Sequence, residues 1–330
     1  MKFQPEWIEK YRIDTQVLSD CVERQDYLYQ KERGAMWLCR LWPGIAVWAN
    51  ETAMSSLPCE PAVTRYHFVK LNYCTSGRCE VLLENGKYVY LSPGMLSIDC
   101  NQPKEMFRYP TNQYEGLEIV WNLDKLKKCP AVVLDELGIG SDRLAELEEH
   151  AQGSYITGVS PEWDALAKSM IDQLKEGKGR IEDYRFYCLQ LLYMLTTGHT
   201  RPIKKAYVTK GQRRIVEAAK RRIDDTLPWS DTVEALAEQV GVGASSLKKY
   251  FSMIYGCPVS EYVRKKRMEL ACTYLRETDI SIGEVAEKSG YAHQGKFGGV
   301  FKKYIGQTPL EYRRRNRVFK EGESDHEKIV

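Results

Sequence analysis

Between Thr232 and Arg313 one pattern of about 50 residues occurs twice, which obliges the C-terminal third of the chain to fold as two copies of one small unit. The first copy, TVEALAEQVGVGASSLKKYFSMIYGCPVSEYV, runs from Thr232 to Val263. The second, SIGEVAEKSGYAHQGKFGGVFKKYIGQTPLEYR, runs from Ser281 to Arg313. With one extra residue in the second, Ala237 pairs with Ala286, Gly241 with Gly290, Phe251 with Phe301, Gly256 with Gly306 and Tyr262 with Tyr312.

Each copy reads as a helix, a glycine turn, a second helix and the cap of a third. Asp231 is placed to cap the first helix with Glu234 reaching back, as Ser281 and Glu284 are in the second copy. Val233, Leu236, Ala237 and Val240 repeat at three-to-four spacing, and Ile282, Val285 and Ala286 do so later. Gly241 and Gly290 follow, where a left-handed residue lets the chain turn. The second helices span about Gly243 to Tyr255 and about His293 to Ile305, anchored by Leu247 and Phe251, then Phe297 and Phe301. Thr308, Pro309 and Glu311 open a further helix with a capping box and a first-turn proline. This is helix-turn-helix grammar.

Charge points the same way. Residues 204–317 hold 23 Lys and Arg against 13 Asp and Glu, whereas residues 1–203 hold 23 against 28, so a chain of net charge +3 conceals a basic end. A basic helical module joined to a mildly acidic one is the footprint of a nucleic-acid-binding domain attached to something else.

The run Ser281, Ile282, Val285, Ala286, Gly290, Tyr291, Phe297, Phe301, Lys302, Lys303, Gly306, Thr308, Pro309, Tyr312, Arg313 resembles the signature of the AraC family of bacterial transcription regulators. Arg267, Met268, Ala271, Tyr274 and Leu275 resemble the helix that joins the family's two units. The resemblance spans residues 211–315. It implies that two recognition helices enter successive major-groove faces of double-stranded DNA, a geometry the groove's width permits. Carried over by position, Ser245, Lys248 and Lys249 face the groove from the first unit, and Gln294, Gly295, Lys296, Gly298 and Gly299 from the second. Lys248 or Lys249 suits guanine O6 and N7, and Gln294 an adenine edge. Arg213, Arg214, Lys302, Arg313 and Arg314 are assigned to phosphates. The glycines depart from the family pattern, which has larger side chains there, and they offer a base no hydrogen bond. The first unit is therefore expected to carry most sequence readout.

Upstream, the runs AMWLCRLW, TRYHFVKLNYC, CEVLLE, KYVYL, MLSIDC and YEGLEIVWN read as short strands. They are broken at Pro43-Gly44, Ser76-Gly77, Asn85-Gly86 and Pro93-Gly94. An antiparallel barrel or sandwich is expected. The stretch resembles the cupin-like effector domain that precedes many AraC-type DNA-binding domains. Trp42, Trp48, His67, Tyr73 and Trp121 are the candidate contacts for a small-molecule effector, with a core role for the aromatics and a structural one for His67 as the alternatives. A cupin metal centre needs several histidines, and residues 1–149 contain His67 alone, so neither metal nor cofactor is expected. The ten cysteines include no C-x-x-C pair, and with no secretory or transmembrane stretch they point to a reducing cytoplasm. Cys74 and Cys79 flank a turn, and either inert thiols or a redox pair fits that position.

Pro161 to Glu176 and Ile181 to Thr197 read as helices. Their stripes, Trp163, Leu166, Met170 and Leu174, then Tyr184, Cys188, Leu191, Leu192 and Leu195, either seal a domain core or, as the resemblance favours, form a homodimer interface. The resulting layout is a cupin-like antiparallel β-barrel (1–150), a helical dimerisation segment (151–200), a linker (201–210), an all-α tandem helix-turn-helix domain (211–317) and a polar tail (318–330). The expected function is an AraC-type transcription regulator with no enzymatic activity. RNA polymerase contact and activation are implied by the resemblance. A cupin enzyme carrying a DNA-binding domain, or a sequence-indifferent architectural DNA binder, are the competing readings.

Overall fold

The computed structural model of the chain describes residues 11–58, 68–83, 85–99, 106–140, 142, 146 and 155–317. The chain divides into two compact units, Met1–Lys210 and Gly211–Val330.

In the first unit the strands are β1 (Arg12–Val17), β2 (Val22–Tyr29), β3 (Glu32–Trp42), β4 (Ile45–Thr52), β5 (Ser56–Pro58), β6 (Phe68–Gly77), β7 (Cys79–Leu82), β8 (Tyr88–Leu91), β9 (Met95–Asp99), β10 (Met106–Arg108), β11 (Tyr114–Asn122), β12 (Tyr155–Val159) and β13 (Thr200–Arg201). Its helices include α1 (Leu123–Lys128), α2 (Val132–Glu136), α3 (Pro161–Glu176) and α4 (Ile181–Thr196). An antiparallel sheet forms in the order β1-β2-β3-β4-β11-β6-β9-β12-β13, with β5–β10 and β7–β8 as separate two-stranded ribbons. β1 and β13 stand at opposite edges and do not pair with each other among the described residues, so the described sheet is open where a closed barrel is expected from sequence.

Period-two alternation gives this sheet two apolar faces. Ile45, Val47 and Ala49 of β4, Val69, Leu71 and Tyr73 of β6, and Leu117, Ile119 and Trp121 of β11 join one core with Trp163, Met170 and Leu174 of α3 and Tyr184, Cys188, Leu191 and Leu192 of α4. Ala46, Trp48, Met36, Leu38 and Val120 point the other way, into a second cluster with Leu57 of β5 and Phe107 of β10. β4 is buried on both faces from Ile45 to Ala49, so its sequence lacks the alternation that would have revealed it. The α3 and α4 stripes are therefore spent on the sheet, except Leu166, which is half-buried at the margin. Trp163 Nε1 donates to the Leu191 carbonyl at 3.1 Å and its ring meets Tyr73 edge-on at 4.7 Å, while Arg185 Nε donates to the Leu41 carbonyl at 2.9 Å. Residues read as a linker also return to this unit, since Val208 is fully buried and exchanges backbone hydrogen bonds with Tyr88 of 2.8 and 2.9 Å.

The second unit comprises α5 (Lys210–Asp225), α6 (Val233–Gln239), α7 (Ala244–Tyr255), α8 (Val259–Glu277), α9 (Ile282–Lys288), α10 (Gln294–Ile305) and α11 (Pro309–Asn316). The paired residues of the sequence repeat make the same contact in both copies. Phe251 meets Tyr262 at 5.4 Å and 71°, and Phe301 meets Tyr312 at 5.6 Å and 79°. Ser281 with Glu284 and Thr308 with Glu311 form capping boxes, and those backbone bonds hold both carboxyls below the usual range. In the first copy the cap lies one residue later than Asp231. Val233 is the first helical residue, so Thr232 is the N-cap and its hydroxyl accepts from the Ala235 amide at 3.1 Å. Glu234 then falls too early in the turn to reach back.

Candidate nucleic-acid interface

α7 and α10 each bury one stripe and expose the other. Leu247, Phe251, Ile254 and Tyr255 of α7 and Phe297 and Phe301 of α10 are buried, whereas Ser245, Lys248, Lys249, Gln294, Gly295, Lys296 and Gly299 are exposed and Gly298 is half-buried. The side chains named for each groove thus lie on the outward face of their own helix. Gly243 and His293, the residues before the two helices, make no side-chain cap, in contrast to Thr232, Ser281 and Thr308 before α6, α9 and α11. The uncapped amides of α7 and α10 suit phosphate oxygens.

The two outward faces differ chemically. Lys248 Nζ lies 3.0 Å from Glu234 Oε1 across the α6–α7 turn, and that hydrogen bond holds the exposed Glu234 carboxyl below its usual range. Against it, α10 offers bare backbone. A Cβ added at Gly295, Gly298 or Gly299 would meet nothing within 4 Å, and none of the three has a positive φ, unlike Gly241, Gly256, Gly290 and Gly306. No contact or dihedral within this domain requires those glycines. The double substitution G298A/G299A is accordingly expected to stabilise the helical unit by about 2 kcal/mol, read as a higher urea midpoint. An unchanged or lower midpoint would show that α10 needs its glycines for folding.

The phosphate set separates into two groups. Arg214, Lys302 and Arg314 are exposed. The Arg213 side chain is only 14% exposed and its Nε lies 3.6 Å from Glu217, while Arg313 Nη2 donates to the Ile280 carbonyl at 2.7 Å. Both are engaged within the domain. Tyr262, which the repeat marked only as an aromatic, donates its hydroxyl to Asp224 Oδ1 at 3.0 Å, tying α8 to α5. Burial, then the Asp224 charge, raises its pKa well above the usual tyrosine range.

In the first unit, the effector candidates are not brought together. Tyr73 and Trp121 are fully buried on the helix-covered face, Trp42 packs at its margin with Arg185 5.4 Å above its ring, and Trp48 points to the opposite face. His67 lies outside the described residues. On the Trp48 face, cross-strand register aligns Trp48, Glu118, Asn72 and Ser97 in one row over β4, β11, β6 and β9. Trp48 Nε1 donates to Glu118 Oε2 at 3.0 Å, the Tyr114 hydroxyl donates to Asn72, and Asn72 and Ser97 are buried. Sequence reading passed over this polar row. Its signal was Glu118, a carboxylate set inside the apolar run Leu117 to Trp121. Cys74 and Cys79 are buried free thiols of one cluster, and burial pushes the Cys74 thiol up to about 12 and Cys79 higher still. Neither is suited to supply a thiolate near neutral pH. Among the described residues no group of three or more His, Cys, Asp or Glu could hold a metal ion, and no helix is long and apolar enough to cross a membrane.

Residues 236–315 match a family described as a helix-turn-helix domain. The Probable transcription factor PqrA of Proteus vulgaris is 32% identical over 104 residues, which cover 29% of this chain and 85% of that protein. The chain belongs to the AraC family. Another similar protein is the regulatory protein SoxS of Escherichia coli K12, 29% identical over 100 residues, covering 28% of this chain and 94% of SoxS. Among solved structures, the C-terminal domain of AraT, a response regulator from Geobacillus stearothermophilus, is 33% identical, with 34% of this chain and 93% of that domain covered and a TM-score of 0.32. As an AraC-family protein this chain is a sequence-specific DNA-binding transcription regulator, and its named relatives are regulators.

Proposed function

We propose that this AraC-family regulator docks α7 and α10 in successive major-groove faces of one site, and that α7 performs most of the base readout. The carrying observation is the contrast between outward faces: Ser245, Lys248 and Lys249 on α7 against Gly295, Gly298 and Gly299 on α10. Gln294 and Lys296 supply what base or phosphate contact α10 makes, and the glycines let its backbone approach the duplex closely. Arg214, Lys302 and Arg314 hold phosphates, with Arg213 and Arg313 supporting the helices that carry them.

In this reading residues 1–200 form a cytoplasmic effector and dimerisation module of cupin-like descent, which leads through 201–210 to the DNA-binding domain at 211–317. The effector is a small molecule held on the sheet face that bears Trp48, Glu118, Asn72 and Ser97. That face combines an aromatic ring with buried polar groups, which is the make-up of a ligand site. Ligand shifts regulation only by binding two arrangements of the protein unequally. Activation through RNA polymerase is the mode proposed.

The proposed dimer uses the outward side of α3 and α4, since their inward stripes are taken by the sheet. Phe186 is 74% exposed and Tyr193 49% exposed there, beside a groove of about 720 Å³ lined by Leu166, Gln173, Phe186, Tyr187 and Gln190 among others. F186D is expected to convert a dimer to a monomer in sedimentation analysis without lowering helix content. A wild-type protein that sediments as a monomer would remove the dimer from the scheme. The DNA reading is tested by capturing fragmented genomic DNA on the full-length protein at physiological salt. Enrichment of sites about two helical turns long supports it, and uniform recovery that fades with salt counts against it.

A further inference from the structure

The geometry points to Arg267 as a positioning residue that sets the separation and rotation of the two recognition helices, a role that rests on the two-helix docking proposed above. Arg267 sits on α8, the helix that joins the two units. Its Nη2 donates to the Trp229 carbonyl at 2.6 Å and its Nη1 to the Gly290 carbonyl at 3.1 Å. Trp229 belongs to the segment that enters α6, the scaffold helix of the first unit. Gly290 is the turn of the second unit, four residues before α10. One planar guanidinium therefore grips a backbone carbonyl from each unit, and its carbon also lies 5.8 Å from the ring centroid of Tyr291.

The space around Gly290 shows how close this junction is. A Cβ added there would lie 2.9 Å from Arg267 Cζ and 3.0 Å from Pro228 Cβ, so entry segment, guanidinium and turn form one stack. Gly290 has φ +81°, whereas the matching turn glycine of the first unit, Gly241, has φ +73° and nothing within 4 Å. The same turn thus forms without any grip. The repeat needs Gly at both positions for its backbone, but the arginine contact belongs to the second alone and serves the relation between units.

That relation matters because α8 fixes the distance between units along its own axis and leaves their mutual rotation to side-chain packing. A recognition helix must meet the groove one turn of the duplex away from its partner, and a small rotation moves it off that register. The Arg267 fork blocks such a rotation at the point where α10 begins. Lysine replaces it only in part, since its ammonium offers donors from one mobile point and not from a fixed planar fork.

The test uses full-length wild type, R267M and R267K, each selecting duplexes from a random DNA pool at one salt concentration. The wild type should recover two half-sites at a single spacing. R267M should recover the same half-site sequences spread over neighbouring spacings, with affinity for the best wild-type duplex reduced about tenfold. R267K should fall between them. R267M that keeps the wild-type spacing, or that loses half-site preference together with spacing, overturns the role. Should R267M fail to show native helix content, R267K decides, and unchanged spacing there overturns it equally. A wild type that recovers no preferred duplex would instead overturn the two-helix docking reading, and this role with it.

Discussion

Replacing Phe301 with alanine is expected to destabilise the helical unit by about 3–5 kcal/mol and to abolish site-specific DNA binding. Phe301 is fully buried, stands 5.5 Å from Phe297 and 5.6 Å from Tyr312, and belongs to a small core built from α8, α9, α10 and their flanks. Its loss opens a cavity between the scaffold helix and the recognition helix, where backbone on both sides is held by short helices that cannot collapse inward. Since a domain is stable by only about 5–15 kcal/mol, a large share of the margin goes. Hydrogen exchange on the full chain should show α10 amides losing protection first. Protection in α10 equal to wild type would mean that this ring does not hold the recognition helix in place.

Replacing Lys248 with alanine is expected to relax base preference in the half-site read by α7 by about 10–100-fold, the value of a good direct contact. K296A should instead weaken all sequences alike and lower the salt dependence of binding by about one unit of slope. The difference follows from the setting of each lysine. Lys248 is held toward α6 by Glu234 and so projects from a defined position, while Lys296 neighbours three glycines that provide no companion readout. E234Q serves as the control, because it releases Lys248 from its ion pair while leaving its charge. Selection from random duplexes by K248A and K296A decides the matter. Equal relaxation at both half-sites would sink the asymmetry between the two units.

Much of the helical domain was legible because its signals are local. Cap residues, turn glycines and apolar spacing each act within four or five residues, so Ser281, Thr308, Gly256 and Gly306 announced their helix ends directly. Asp231 failed by one position because two adjacent cap-competent residues look alike until the first helical turn is fixed. The sheet was harder. β3, β6 and β11 carried recognisable strand runs, but β4 is apolar on both faces, β12 is short, and the two-residue edge strand β13 pairs with β12 only after the chain has passed through α3 and α4. Tyr73 and Trp121 appeared alongside Trp48 as aromatic candidates because a sequence does not say which face of a sheet the helices will cover.

The sequence by itself determined the duplicated helix-turn-helix unit, its basic character and which stripes of α7 and α10 turn inward, since periodicity, caps and charge are properties of short segments. Tertiary structure alone decided which side of the sheet is left for Trp48 and Glu118, that α3 and α4 give their stripes to the sheet and leave Phe186 outside, and that Arg267 bonds two carbonyls 38 and 23 residues away from it. Those outcomes depend on contacts between segments distant along the chain. Their partners are chosen by packing the whole unit at once, and no local pattern of residues encodes that choice.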